Sequence, residues 1–207
     1  MPVVLAGRVV LQWTVVLLCL MSLPALSLAQ AVSLADPENF NLHKVVAETV
    51  VYDGRSALRV TEAEEYRDSS PDKLVIIRGV DFHNGVIELD IAGRPIPGAQ
   101  TGARGFIGIA FHLTGDADSY ECIYLRPTNG RAQDQLRRNH ATQYISYPDY
   151  PWQRLREATP GQYESYVDLV PGQWTRMRIE VAGTTARLFV HDAEQPVLIV
   201  NDLKLGE

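Results

Sequence analysis

The sequence predicts an all-β fold, either an antiparallel sandwich or a jelly roll. From Val45 onward, apolar and polar residues alternate with a period of two, as expected for strands that bury one face. Glycine, proline, aspartate and asparagine interrupt this alternation at intervals of about 8–12 residues, the spacing of turns in sandwiches and barrels. The chain has neither a long helical stripe nor a repeated strand–helix–strand pattern, which excludes a parallel α/β fold.

The first 29 residues predict a secretory signal peptide. Arg8 precedes an uncharged apolar run, Pro24 closes that run, and small residues follow it. The run is shorter than the roughly 20 apolar residues that a transmembrane helix needs. Cleavage after Ala29 or Ala31 leaves a single domain, residues 30–207, in a secreted or periplasmic protein without a membrane span.

Removal of the signal peptide changes the charge and the cysteine content of the chain. The formal net charge moves from −6 to −7, because one arginine and no acidic residue is lost. Cys19 leaves with the signal, so Cys122 remains alone and no internal disulfide is possible. Cys122 lies inside the strand-like sequence SYECIYLR, where a small buried apolar residue is expected rather than a nucleophile.

The β-rich runs predict the order of the strands. In chain order they are VVAETVVYDG, SALRVTEA, DKLVIIRGV, GVIELDIAG, GFIGIAFHL, SYECIYLRP, QYISY, ESYVDLV, WTRMRIEVAG, TARLFVHD and PVLIVNDL. Hairpin turns are predicted at Asp53-Gly54, Asn84-Gly85 and Ala182-Gly183. Only residues 130–139 predict a helix, and it is short and too polar for the core. The alternation predicts that these side chains face inward: Ile107, Ile109, Phe111, Met177, Ile179, Leu188 and Val190.

Four segments in succession resemble a known superfamily: DGRSALRV, VIIRGVDFHNGVIELDIAG, GFIGIAFHLTGDADSYECIYLRP and PGQWTRMRIEVAGTTARLFVHDAEQPVLIVNDLKLG. They resemble concanavalin A-like jelly rolls, and most of all laminin-G-like domains and the bacterial 3-keto-disaccharide hydrolase domain. The resemblance covers almost the whole mature chain and lies in strands and turns rather than in a catalytic motif. It implies an antiparallel two-sheet jelly-roll sandwich that binds its ligands on the concave face.

The end of the chain departs from that pattern. Chains of this type usually continue past the NDLKLG-like turn with one or two more strands that close the sheet. This sequence stops at Glu207, so we expect either a fragment that lacks its last strands or a sheet with an open edge.

The connection from Arg126 to the strand near Tyr163 is predicted to be a long functional loop. Its second half, RRNHATQYISYPDYPWQRLR, contains four aromatic residues and four arginines. Loops of this length are usually functional or disordered, and this one is too aromatic for disorder. Aromatic rings stack on sugars while polar side chains bind the hydroxyl groups, so the loop predicts a carbohydrate site. The expected ligand-binding residues are Arg126, Asn129, Arg138, His140, Tyr144, Tyr147 and Trp152, with Asn139 and Tyr150 as further contributors.

A structural role for the same loop is the alternative. In that case the rings cap the sandwich and the arginines form surface pairs with Asp134, Asp149, Glu157 and Glu164. Nucleic acid is not expected as a partner, because the basic run belongs to an acidic, exported domain. The sequence does not indicate an oligomeric state.

Catalytic groups are poorly indicated. Retaining glycosidases of the superfamily carry paired carboxylates on one strand face, and Glu88 and Asp90 in ELDIAG fit the first two positions. The third acid is missing, so a strand with buried Leu89 and solvated acids is the favoured interpretation. His112 and Glu121 lie in neighbouring predicted strands and form an acid/base pair only if they face the same side.

No cofactor is expected. The turn TGDADSY carries Asp116 and Asp118, and superfamily members often bind calcium near such turns, but the rest of a calcium loop is absent. A solvated turn is therefore favoured over a calcium site. The five histidines have no zinc-site spacing.

Three hypotheses for function follow. The first is an exported carbohydrate-binding domain whose aromatic and arginine-rich loop binds a glycan. The second is a hydrolase of glycosides or 3-keto-disaccharides, which the resemblance implies. The third is an interaction domain with no small ligand.

Overall fold

The computed structural model describes residues 30–34, 36–66, 72–115 and 117–206. Ser33–Glu207 form one compact unit. The predicted signal peptide of residues 1–29, including Cys19, and the turn residue Asp116 lie outside the described residues. No helix in the described part of the chain is long and apolar enough to cross a membrane.

Strands dominate the described residues. In chain order they are β1 Phe40–His43, β2 Val45–Tyr52, β3 Arg55–Glu62, β4 Leu74–Ile77, β5 Gly85–Ile91, β6 Ile107–Thr114, β7 Ser119–Leu125, β8 Thr142–Tyr147, β9 Glu164–Ser165, β10 Thr175–Ala182, β11 Thr185–Val190 and β12 Leu198–Val200. Two short α-helices, α1 Gln135–Asn139 and α2 Trp152–Ala158, flank β8, and a 3-10 turn at Pro127–Asn129 follows β7.

All strand pairs in the described residues are antiparallel, so the predicted all-β class is confirmed. Two four-stranded sheets, β12-β11-β10-β5 and β6-β7-β8-β9, supply most of the buried side chains. Two smaller two-stranded sheets, β1-β4 and β2-β3, accompany them. The simple two-sheet prediction therefore missed a division of the first four strands into separate small sheets.

One hydrophobic core joins the two larger sheets. Of the residues predicted to face inward, Ile109, Phe111, Met177, Ile179, Leu188 and Val190 are buried, and the half-buried Ile107 packs against them. The alternation explains this result, because side chains two residues apart point to the same face of a strand. The core of the sandwich could thus be read from the sequence.

The predicted hairpin turns had mixed outcomes. Asp53-Gly54 connects β2 to β3 and both residues have positive φ, as a two-residue hairpin turn requires. The turn predicted at Ala182-Gly183 connects β10 to β11, with Ala182 paired to Thr185. The prediction at Asn84-Gly85 is wrong, because β4 pairs with β1 and β5 pairs with β10.

The predicted long loop after Arg126 is largely regular structure. The short helix expected in residues 130–139 is present as α1. The β-rich sequence QYISY, which the prediction places within the loop, belongs to β8, an inner strand of its sheet. Helix α2 was not predicted, because its seven residues bury only Leu155 and have no apolar stripe.

Candidate functional site

A cavity of about 490 Å³ opens where β7 ends and β6 and β8 begin. Antiparallel pairing brings these strand ends together, so the cavity collects side chains that are far apart in the sequence. Its lining comes from the segment before β6, the turn after β7, helix α1 and helix α2: Gly102, Arg104, Phe106, Arg126, Asn129, Asp134, Leu136, Arg137, His140, Trp152 and Arg156.

A buried carboxylate, Glu164 of β9, anchors two guanidinium groups of the lining and lies beside an imidazole. Arg126 Nη1 donates to its Oε1 at 3.2 Å, and Arg156 Nε donates to its Oε2 at 3.0 Å. His140 Nδ1 lies 2.7 Å from Oε2, but its N–H does not point along a hydrogen bond. Burial acts to raise the pKa of Glu164, yet the hydrogen bond from Arg156, the protonated form of His140 and the charge of Arg156 lower it on balance. Glu164 is therefore the ionised partner of these groups.

Arg126 is a structural side chain of the cavity floor. It is 5% exposed, and its Nη2 donates to Gln143 Oε1 at 3.0 Å and to the Tyr124 hydroxyl at 3.2 Å. Its Cζ lies 5.2 Å from the centroid of the Tyr124 ring and 6.0 Å from those of Phe106 and Trp152. Such cation–π contacts hold the guanidinium and the rings in fixed relative positions.

The turn after β7 fixes a second guanidinium, that of Arg137. Asp134 accepts a hydrogen bond from the Arg137 backbone N–H at 3.0 Å and so caps α1. The Arg137 side chain then reaches back to the turn, where Nε donates to Asn129 Oδ1 at 2.9 Å and Nη2 to the Thr128 carbonyl at 3.1 Å. Asn129 in turn donates to the His140 carbonyl at 2.9 Å. The guanidinium of Arg137 is held in place before any ligand arrives.

Two exposed aromatic rings form the walls of the cavity. Phe106 is 62% exposed and packs edge-on against Tyr124, with ring centroids 5.6 Å apart. Trp152 is 37% exposed, and Arg156, one helical turn later, lies with its Cζ 4.6 Å from the indole centroid. Large apolar rings left this open to solvent beside hydrogen-bond donors are typical of ligand sites.

His140 in the lining of the cavity and Tyr124 beside it are neutral at neutral pH. Burial, together with the Arg156 and Arg126 charges, lowers the pKa of His140 despite the opposing effect of Glu164. Burial raises the pKa of Tyr124 to about 12. His140 and Tyr124 thus act as hydrogen-bonding groups, and the positive charge of the cavity comes from arginine.

The structure brings four of the seven predicted site residues to this cavity: Arg126, Asn129, His140 and Trp152. Arg138 lies away from it, where its Nη2 donates to the Tyr166 hydroxyl at 3.1 Å. Tyr144 is 0% exposed and belongs to the core, with its hydroxyl donating to Glu121 at 2.8 Å. Tyr147 stacks on Tyr120 with ring centroids 5.1 Å apart. Along β8, Tyr147 lies four residues from Gln143, the residue that contacts Arg126. At the usual rise per residue, about 13 Å of strand separates the two.

Sequence reasoning missed several lining residues. Arg104 and Phe106 precede β6, and only the pairing of β6 with β7 brings them beside Arg126. Arg137 and Arg156 lie in the arginine-rich segment but were not singled out. Phe106 did carry a sequence signal. It is an aromatic residue next to a glycine and directly before a buried strand, so it has no core position to fill.

A second hollow of about 380 Å³ contains Tyr150, which sequence analysis had grouped with the cavity residues. Arg154 lies with its Cζ 4.4 Å from the centroid of this ring. Asp202 accepts from the Tyr163 hydroxyl and from Lys204 Nζ, both at 2.6 Å. The polar groups of this hollow bind mainly one another.

The candidate catalytic groups are engaged in structural contacts. Glu88 and Asp90 are exposed on β5, beside a less exposed Leu89, and both face Arg176 at 3.0 and 3.7 Å. His112 and Glu121 do face the same side, with His112 Nδ1 2.6 Å from Glu121 Oε2, but Glu121 is 0% exposed. The other ring nitrogen of His112 faces the His83 carbonyl at 2.8 Å. Neither nitrogen is left to serve a substrate.

Metal ligands are not clustered in the described residues. Among them, no group of three or more histidine, cysteine, aspartate or glutamate side chains lies close enough to hold one ion. The calcium alternative depends partly on Asp116, which lies outside the described residues.

No protein family, curated protein or solved structure matches the chain.

Proposed function

We propose that the protein is an exported carbohydrate-binding domain, secreted or periplasmic, with a concanavalin A-like jelly-roll fold. The observation that carries this proposal is the cavity bounded by the exposed rings of Phe106 and Trp152 and by the donors of Arg137, Asn129 and His140. Rings supply the apolar surface on which a pyranose stacks, and the polar side chains bind its hydroxyl groups.

The fold supports the proposal. A jelly roll is an antiparallel β-sandwich, and the described strands are antiparallel throughout their two larger sheets. Alternation along β7 puts Tyr120, Cys122 and Tyr124 on the face opposite the buried Glu121 and Ile123. The cavity lies at the Tyr124 end of this second face.

Replacement of Trp152 tests the proposal. Trp152→Ala removes an exposed ring from the cavity wall, so we expect glycan affinity to fall by roughly 1–3 kcal/mol while the melting temperature changes little. Tyr147→Ala is the matched control, since it removes a ring stacked on Tyr120 away from the cavity. It should lower the melting temperature and leave the affinity unchanged. Glycan-array screening followed by titration calorimetry measures binding, and thermal unfolding measures stability.

The rival functions give different results in the same experiments. A hydrolase releases new reducing ends or a keto sugar from the glycan, which chromatography of the incubated ligand detects. An interaction domain binds no glycan on the array. A parent protein that binds no sugar, together with a Trp152→Ala variant that unfolds several degrees earlier, would assign the ring to a structural cap.

A further inference from the structure

The charges around the cavity are unbalanced. Four guanidinium groups line it, those of Arg104, Arg126, Arg137 and Arg156, against the carboxylates of Asp134 on the lining and Glu164 beneath it. Glu164 is shared by Arg126 and Arg156. With His140 neutral, the cavity keeps an excess of two positive charges in a domain whose net charge is negative.

Arg104 and Arg137 are the two guanidinium groups of the lining that do not contact Glu164. Among the described residues, neither forms an ion pair with a carboxylate, and Arg104 makes its hydrogen bond to the Gly102 carbonyl of its own loop. Burial lowers the pKa of Arg104, and the nearby charges of Arg137 and Arg126 lower it further because like charges repel one another. A bound anion would remove this repulsion.

The arrangement suits an oxyanion. The guanidinium of Arg137 is fixed by Asn129 and Thr128, and its Nη1 faces no acceptor among the described residues. A guanidinium group is a planar donor that matches a carboxylate or a sulfate, and a preorganised one loses little freedom on binding. The cavity of about 490 Å³ has the size of a small-molecule site.

We propose that the sugar bound in the cavity is acidic, and that its carboxylate or sulfate group lies between Arg104 and Arg137 while its ring packs between Phe106 and Trp152. This inference rests on the proposed carbohydrate-binding function and narrows the class of glycan. Neutral sugars would use the same walls and could accept hydrogen bonds from the arginines, but they would lack the bidentate pairing of a guanidinium with an oxyanion.

Titration calorimetry with the full chain and four probes tests the inference. The probes are trigalacturonate, the neutral galactose trisaccharide of the same linkage, a sulfated form of that trisaccharide, and inorganic sulfate. We expect at least one acidic trisaccharide to bind tenfold or more tightly than the neutral one at low salt, and added salt to reduce the difference. The acidic probe that binds more tightly identifies the oxyanion.

Arginine variants locate the oxyanion. Arg104→Gln should weaken binding of the acidic trisaccharide about tenfold and binding of the neutral one less, so that the preference for the acidic probe falls. Arg187→Gln, on the exposed face of β11, makes the same change in net charge away from the cavity and is the control. If Arg104→Gln fails to fold, Arg104→Lys keeps the charge but loses the planar donor, and a several-fold loss is expected.

The possible failures are distinguishable. Equal affinity for the acidic and neutral trisaccharides would overturn the acidic-sugar inference and leave carbohydrate binding intact. Inorganic sulfate that binds as tightly as the acidic trisaccharides would overturn both, because the sugar ring would then add nothing. Binding of none of the four probes would also overturn both. An equal loss with Arg104→Gln and Arg187→Gln would overturn the assigned position of the oxyanion.

Discussion

At the scale of single residues, the buried carboxylate of Glu121 is a structural hub. Its Oε1 accepts hydrogen bonds from the Tyr144 hydroxyl at 2.8 Å and from the backbone N–H groups of Lys204 and Leu205 at 2.5 and 3.1 Å. Its Oε2 faces His112. One side chain therefore connects β6, β8 and the segment after β12. A buried hub of this kind contributes to stability because its removal leaves several donors unsatisfied.

Replacement of Glu121 should destabilise the fold strongly. We expect Glu121→Leu to lower the free energy of unfolding by about 3–5 kcal/mol, the cost of leaving one side of a buried polar network unpaired. Glu121→Gln should cost less, because its amide oxygen still accepts from Tyr144 and Lys204. Urea unfolding measures both, with Glu88→Leu on exposed β5 as the control, expected to change stability by no more than about 1 kcal/mol. A Glu121→Leu variant as stable as the control would contradict the structural role.

Residue-level prediction from sequence grouped Arg126 and Trp152 by their chemistry, because both lie in one segment rich in arginine and aromatic residues. Both side chains line the cavity. Tyr144 could not be separated from them, because a tyrosine has the same composition signal whether it faces a ligand or the core. Only the pairing of β8 with β7 shows that it points inward to Glu121.

At the scale of elements, the cavity depends on the tight turn that follows β7. Gly130 ends the 3-10 turn with φ −53, an ordinary helical value, so its conformation does not require glycine. Its packing does, because an added Cβ would lie 2.4 Å from the Leu169 backbone nitrogen. The close approach holds Asn129, and through it Arg137, against the rest of the domain.

Substitution of Gly130 should therefore affect both stability and binding. We expect Gly130→Ala to lower the free energy of unfolding by about 1–3 kcal/mol through overpacking and to weaken ligand binding as the turn shifts. Gly161→Ala is the control, since Gly161 has φ +79 and open space around its Cα. It should cost about 1–2 kcal/mol from the left-handed backbone and leave binding unchanged. If Gly130→Ala bound the ligand as tightly as the parent protein, the turn would not be what positions the binding residues.

Element prediction from sequence depended on how local the determining contacts are. The turn at Asp53-Gly54 was predicted correctly, because a two-residue hairpin is set by neighbours in sequence. Asn84-Gly85 has the same local signal, but β5 pairs with β10 in the core and not with β4. Asn84 instead accepts a hydrogen bond from the Gly183 N–H at 2.6 Å. Such long-range competition is invisible in a local pattern.

At the scale of the whole molecule, the all-β class and the inward face of the main strands could be predicted because period-two alternation is a property of the entire chain. The cavity could be predicted only in part. Its lining comes from segments more than 50 residues apart, Gly102 and Arg156 being examples, and strand pairing alone brings them together. The buried Tyr120 and Tyr144 and the half-buried Tyr124 and Cys122 of this sheet also give the whole molecule a common pH dependence.

That dependence is a loss of stability in alkaline solution. Burial raises the pKa of Tyr124 and of the Cys122 thiol to about 12, and it also raises the pKa of Tyr120 and Tyr144 above the usual 10.0. Above about pH 9–10 the unfolded chain releases these protons while the folded chain keeps them, so fewer protons are bound in the unfolded state and stability falls as pH rises. This stabilisation is complete below the pKa values that the groups have in the unfolded chain. It is lost as the pH rises towards their pKa values in the folded protein, by at most about 1.4 kcal/mol per pH unit for each group.

Urea unfolding at pH 8, 9, 10 and 11 measures this effect. We expect the unfolding midpoint to fall steadily above pH 9, and the tyrosinate absorbance near 295 nm of the folded protein to stay below that of the urea-unfolded chain at the same pH. Tyr120→Phe removes one of the groups, so its stability should fall less steeply with pH than that of the parent protein. A midpoint that stays constant up to pH 11, or complete tyrosine ionisation in the folded protein, would show that these rings are not held away from solvent as the structure has them.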